Sequence, residues 1–161
     1  MLSKILTKED CARCRFCCSF RRQSLWETPL FDKETLPVVK EKYPDALFKE
    51  LPDGSVTIDL DGGYKTNDPE EEVLCPFNVN GCVLTPELKP LDCKIWPLRV
   101  MSKDGGLVIA LTPTCSVIKD EVTPELIKVT EELRDEIMAY AEKHPEIIKE
   151  YREGFPVVLT L

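Results

Sequence analysis

Eight cysteines in a chain of 161 residues carry the clearest chemistry in this sequence. Four form one run, Cys11-x2-Cys14-x2-Cys17-Cys18; Cys75, Cys82, Cys93 and Cys115 stand singly, with 6, 10 and 21 residues between them. A two-residue gap lets the backbone loop around a centre with its N–H groups toward the sulfurs. Two such gaps in succession deliver three thiolates to one place, as at the start of the bacterial ferredoxin run. Neighbouring side chains diverge by about 100° on a helix and about 180° on a strand, so Cys17 and Cys18 are not expected to serve one metal. Cys18 is then a ligand of a second centre or a spare thiol.

Two allocations follow. In one, Cys11, Cys14, Cys17 and a remote cysteine fill one centre and leave four thiols for a second. In the other, a single centre is filled and the remaining cysteines are free or pack as small hydrophobes. The only histidine, His144, precedes Pro145 far along the chain and reads as a helix-end residue. An all-thiolate ligand set suits zinc or iron–sulfur. Structural zinc sites usually come as two CxxC-like knuckles, whereas here a triple is followed by isolated cysteines. That pattern favours an iron–sulfur cluster, [4Fe-4S] in type, with Zn2+ as the alternative.

Charge around the cysteines points the same way. Residues 11–22, CARCRFCCSFRR, hold four arginines and no acid, and Lys89, Lys94 and Arg99 flank Cys93. Nearby cations favour thiolate over thiol and offset the charge of a thiolate-ligated centre. Trp26, Trp96, Phe16, Phe20, Phe31 and Phe77 are expected to supply a water-excluding shell, a core, or both. Asp59, Asp61 and Asp68 bracket a turn and are expected in solvent. No nucleophile–base pair or phosphate-cradling glycine loop emerges, so no catalytic residue is expected.

Taken together, Cys11–Cys18, Cys75-Pro-Phe, Gly81-Cys82 and Lys89-Pro-Leu-Asp-Cys93-Lys-Ile-Trp-Pro97 resemble the YkgJ-like cysteine-cluster family, described as a zinc- or iron-chelating domain and marked by CxxCxxCC. The likeness spans roughly residues 11–115, with the cysteine blocks in family order. Lys89, Lys94 and Trp96 stand where the family usually has Arg, Arg and Phe, which keeps charge and aromatic character but removes any bidentate arginine contact. The resemblance implies metal chelation. A similar block in flagellin lysine methylases also brings protein modification into view, although this chain looks too short for a complete machinery of that kind.

Composition sets the frame. Hydrophobic residues make up 43% and charged residues 31%, as in an ordinary globular chain. The net charge of −8, from 21 basic and 29 acidic residues, opposes a general nucleic-acid surface. No stretch approaches the roughly 20 apolar residues of a bilayer span. The opening MLSKILTKED is too short in apolar character for a signal peptide, so the expectation is a cytoplasmic protein without membrane attachment. A protein or peptide is the expected partner class. In that compartment thiols stay reduced, and cysteines are better read as ligands than as disulfides.

The expected architecture is a small α+β domain: a cysteine-cluster region over residues 1–120, with loops holding the metal, and a helical segment over 121–161. Asp32–Tyr43, interrupted by Pro37, and Pro44–Leu51 read as short helices. Ser55–Leu60 alternates as a strand, with Tyr64–Thr66 as its returning partner across Asp61-Gly62-Gly63. Cys75–Cys93 carries too many breakers for anything but loops and single turns. Leu98–Met101 and Leu107–Leu111 pair across a loop of several residues. Thr123 caps, Pro124 starts and Glu125 complements a long helix whose apolar face is Leu126, Leu133, Ile137 and Tyr140/Ala141, and Ile147–Tyr151 adds a turn or two.

Overall fold

The computed structural model describes residues 14–115, 118 and 121–161. The chain is an α+β domain in which three small sheets surround two main cores. Strands β1 (Ser19–Phe20), β2 (Leu30–Phe31), β3 (Phe48–Glu50), β4 (Val56–Ile58), β5 (Val73–Leu74), β6 (Leu98–Lys103), β7 (Gly106–Leu111), β8 (Lys149–Glu150) and β9 (Val157–Thr160) accompany helices α1 (Thr35–Lys42), α2 (Leu91–Lys94) and α3 (Pro124–Lys143). The sheets run β1-β5, β2-β4-β3 and β8-β6-β7-β9.

The C-terminal sheet is built around a hairpin. β6 and β7 are antiparallel, with Lys103 opposite Gly106, which leaves only Asp104 and Gly105 as the connection. Both have positive φ, 52° and 81°, the pairing of a tight two-residue turn whose twist matches the strands. The loop is therefore shorter than the expected Ser102–Gly106. α3 covers this sheet with Leu126, Val129, Leu133, Ile137 and Ala141 buried along one face, against Leu98, Val100, Ile109 and Leu111. The Thr123 hydroxyl accepts from the Leu126 amide at 3.2 Å, and Pro124 occupies the first helical position, where no amide is needed.

Beyond α3 the expected helical turns give way to sheet. A 3₁₀ turn at Pro145–Ile147 leads into β8, parallel to β6, and β9 then closes the other edge against β7. Neither strand is long enough for its own periodicity to announce it. His144 ends α3, buried at 5% exposure, its ring 4.7 Å from that of Tyr140.

The N-terminal half packs a second core of Phe20, Phe31, Val39, Ile58, Leu60, Phe77 and Leu84. Three expectations change here. Pro37 does not interrupt α1, because it is the third helical residue, in the turn whose amides have no intrahelical acceptor. Residues 44–51 are not a helix: Phe48–Glu50 pairs with β4, and the Phe48 ring meets Phe31 at 5.3 Å, edge-on. Tyr64–Thr66 is not the partner of β4, which lies between β2 and β3 instead. Thr57 is consequently buried and donates its hydroxyl to the Pro29 carbonyl at 2.8 Å.

Candidate metal centre

Backbone pairing brings the first cysteine run to the second. Arg15, with φ of 51°, turns the chain into the 3₁₀ turn Phe16–Cys18, and β1 follows at once. β1 pairs with β5 through Ser19–Leu74 and Phe20–Val73. The ladder continues by one bond, as the Cys75 amide donates to the Cys18 carbonyl at 2.7 Å. Two residues far apart along the chain are thereby held side by side.

Cys82 returns on a tight loop. Asn78 and Cys82 face each other in an isolated bridge, with Asn80 and Gly81 both at positive φ, 55° and 116°. The loop is pinned to the core through Phe77 and Leu84, at 2% and 5% exposure. In each arm the amide two residues on points at the thiol: Phe77 N–H at Cys75 and Leu84 N–H at Cys82. Cys93 arrives on α2, which Leu91 and Ile95 anchor in the C-terminal core.

The electrostatics show that Cys18, Cys75, Cys82 and Cys93 form one group. Burial first, then the charges of Cys18 and Cys82, push Cys75 up to about 12. Cys82 is raised by burial and by Cys18, against its Leu84 amide and Lys89. Cys93 keeps much of its surface open to solvent, yet desolvation by the protein atoms packed around it, with the charges of Cys75, Asp92, Cys18 and Cys82, raises it well above the ordinary thiol. Cys18 goes the other way, to about 7: a hydrogen bond with Cys17 outweighs burial, helped by Asn78 and Lys89. The Cys17 and Cys18 sulfurs are 3.8 Å apart.

The donor chemistry of this group, four thiols and no oxygen ligand, fits a thiophilic ion or cluster. Among the described residues no three His, Cys, Asp or Glu side chains already stand as a ready ligand cage. Cys14 is exposed and Cys115 is buried, while Cys11 lies outside the described residues. The charge of Cys18 acts on the three remote cysteines; the spacing had pointed to Cys11, Cys14 and Cys17, of which Cys11 lies outside the described residues.

The cations are also redistributed. Lys89 faces Cys18 and Cys82. Arg21 instead pairs with Glu70 and Glu72, each at 3.0 Å, and Arg22 reaches the carbonyls of Thr66 and Asp68 and lies 4.3 Å above the Tyr64 ring. Arg99 is the largest departure. It is 2% exposed, its guanidinium carbon 5.7 and 5.6 Å from the ring centres of Trp26 and Trp96. Its Nη2 donates to the Glu27 carbonyl at 2.9 Å, while its Nε and Nη1 have no hydrogen-bond acceptor. The carboxylates of Glu27 and Asp92 are 3.8 and 3.9 Å away, close enough for charge but not for hydrogen bonding. An unmet buried donor of this kind costs about 1–3 kcal/mol.

Lys149 completes a charged quartet around buried Arg99, its Nζ donating to the Thr28 carbonyl at 2.6 Å and lying 3.5 Å from Asp92. Burial pushes this ammonium down to about 8 despite Asp92. Because Asp92 precedes Cys93 on α2, the quartet steadies the turn that delivers that thiol. A charged residue in a strand gives no periodic sign of burial, so the role of Arg99 was not readable from spacing. Compared with family models, curated proteins and solved structures, the chain matches none. No helix among the described residues is long and apolar enough to cross a membrane.

Proposed function

We propose that this chain is a metal-binding protein whose centre is held by Cys18, Cys75, Cys82 and Cys93. One observation carries the reading: four thiols from three separate stretches lie close enough for their charges to act on one another. Without a cation, at most a fraction of these thiols ionises at neutral pH. A bound metal would take the place of the protons, and its binding energy would add to folding. The amides of Phe77 and Leu84 would support thiolate at Cys75 and Cys82, and Lys89 would offset the negative charge.

An iron–sulfur centre, serving electron transfer or protein modification, is the reading that the cysteine run suggests. A closed zinc site, in a protein that acts as a binding module, is the second. The second is favoured by the two arms in which the amide at the second following residue faces the thiol. Cytoplasmic thiols would remain available for either.

Anaerobic purification with metal and acid-labile sulfide analysis decides between them. Iron with sulfide and a visible band establishes the cluster; stoichiometric zinc in colourless protein establishes the structural site. Protein that takes up neither metal, or that keeps its metal when Cys75 and Cys82 are both replaced by Ser, overturns the proposal.

A further inference from the structure

The thiol group opens onto a surface, since Cys82 and Cys93 are exposed. Among the described residues six large apolar side chains stand in solvent, and four are chain neighbours of these thiols. They are Phe16, Leu74, Val79 and Val83, at 40%, 46%, 64% and 40% exposure. Phe16 lies in the turn that carries Cys18, Leu74 precedes Cys75, and Val79 and Val83 belong to the loop of Cys82. Each segment already has its own anchor in the N-terminal core: Phe20, Val73, and Phe77 with Leu84. The exposed side chains are therefore surplus to packing. Scattered apolar residues need no explanation, but a cluster marks an interaction surface.

Cations rim this cluster. Arg15 is exposed, and its carbonyl accepts from the Cys18 amide at 3.0 Å. Lys89 faces Cys18 and Cys82. The Tyr43 hydroxyl donates to the Val83 carbonyl at 2.9 Å, which brings Lys42, at the end of α1, beside the loop. Lys42 and Lys94 both act on Glu87. Among the described residues none of these four cations is in salt-bridge contact with a carboxylate. Nearby Asp92 is answered by Arg99 and Lys149, and Glu70 and Glu72 by Arg21. The rim is thus positive in a chain of net charge −8.

We propose that this surface docks an acidic protein segment, whose apolar side chains meet Phe16, Leu74, Val79 and Val83 while its carboxylates meet the rim cations. An apolar centre inside a charged rim is the plan of a protein interface, and opposite charge speeds and orients the encounter. An anionic membrane or a nucleic-acid backbone spreads its charge more widely and would also meet the acids of a chain at −8. A peptide segment can set its acids opposite the cations and nowhere else. The patch is small, so the complex should be transient. The inference stands on exposed side chains and does not require the thiol group to hold metal.

The probe is a fluorescently labelled peptide alternating Glu with Leu and Phe, titrated with the protein as purified and read by anisotropy. Binding should saturate, and should weaken as salt rises from about 50 to about 300 mM. The same peptide with Gln for Glu should bind about tenfold more weakly. Val79→Glu and Lys42→Glu should each weaken the acidic peptide by about tenfold with an unchanged thermal midpoint. Lys128→Glu makes the same charge change on exposed α3 and should leave the affinity unaltered. Two patch variants keep the test decisive should one misfold. Absent or non-saturating binding, equal binding of the Gln peptide, or full affinity in the folded patch variants would overturn the proposal. So would an equal loss in Lys128→Glu, or tighter binding of phosphatidylserine vesicles or duplex DNA. A parent chain that sediments as a dimer, and as a monomer with Val79→Glu, would assign the surface to a second copy and overturn it too.

Discussion

Cys18 offers a direct way to test the thiol group, because its ionisation depends on its neighbour. In the metal-free protein the Cys18 thiol sits at about 7 instead of the ordinary 9.0, first through the hydrogen bond with Cys17, then through Asn78 and Lys89 acting against burial. That displacement favours the thiolate by about 3 kcal/mol. At pH 7 about half of Cys18 is then thiolate, against roughly one part in a hundred for an ordinary thiol, a gain of about fiftyfold. Thiolates of lower pKa are weaker nucleophiles, and a Brønsted slope of about 0.4–0.5 removes about eightfold, so the expected net acceleration is about sixfold. The assay is a brief pulse of a pyridyl disulfide across a pH series, with each labelled cysteine located by mass spectrometry. Cys18 should label with a midpoint near 7, and Cys75, pushed up to about 12, should stay nearly inert. Replacing Cys17 with Ala removes the dominant stabilising bond, and the Cys18 midpoint should climb toward 9.0. A midpoint already near 9.0 in the parent chain, or an unmoved one in the variant, would refute the reasoning.

Three further outcomes are expected. Phe77→Ala, which empties the buried anchor of the Cys75–Cys82 loop, should lower stability by about 3–5 kcal/mol in urea unfolding and reduce the metal bound per chain. Tyr140→Phe removes a 2.6 Å hydrogen bond to buried Asp32 and should cost about 1.5–3 kcal/mol at pH 7. Burial raises Asp32, but the bonds from Tyr140, Thr35 and Glu34 lower it further, so its folded value is below the unfolded one. The stabilisation is therefore complete above about pH 4–5 and lost as pH falls, and the two proteins' unfolding midpoints should converge in acid. Thr123→Ala deletes the cap of α3 and should cost about 1 kcal/mol in the same assay, with the metal content unchanged.

The elements legible in the sequence are those with enough residues to show a period. α3 spans 20 residues, and its cap, first proline and buried face all agree with the local signals. The β6–β7 hairpin was visible in its apolar runs, though its turn was tighter than the breakers suggested. Elements fixed by distant partners were not visible. β1 and β5 are two residues each, too few for any alternation, yet their pairing is what sets Cys18 beside Cys75. Phe48–Glu50 has no strand signal apart from its neighbours, and β8 is defined by its parallel contact with β6. The same limit applied to the thiols. Spacing within a run measures how cysteines can share a centre locally, whereas the approach of Cys18 to Cys75 comes from a backbone ladder across more than fifty residues of sequence. Arg99 was read as a cation supporting thiolate at Cys93, when tertiary packing buries it beside Trp26 and Trp96.

The two cores also set an order of assembly. Phe20, Phe31, Ile58, Phe77 and Leu84 all precede residue 85, so the first core can gather while the sheet that carries α3 is still being synthesised. Cys18, Cys75 and Cys82 emerge with that early half, and Cys93 follows on a turn rooted in the later one. A metal captured during synthesis would thus begin with three sulfurs, and the fourth would close only once the C-terminal half had docked, which makes the last ligand a record of completed folding.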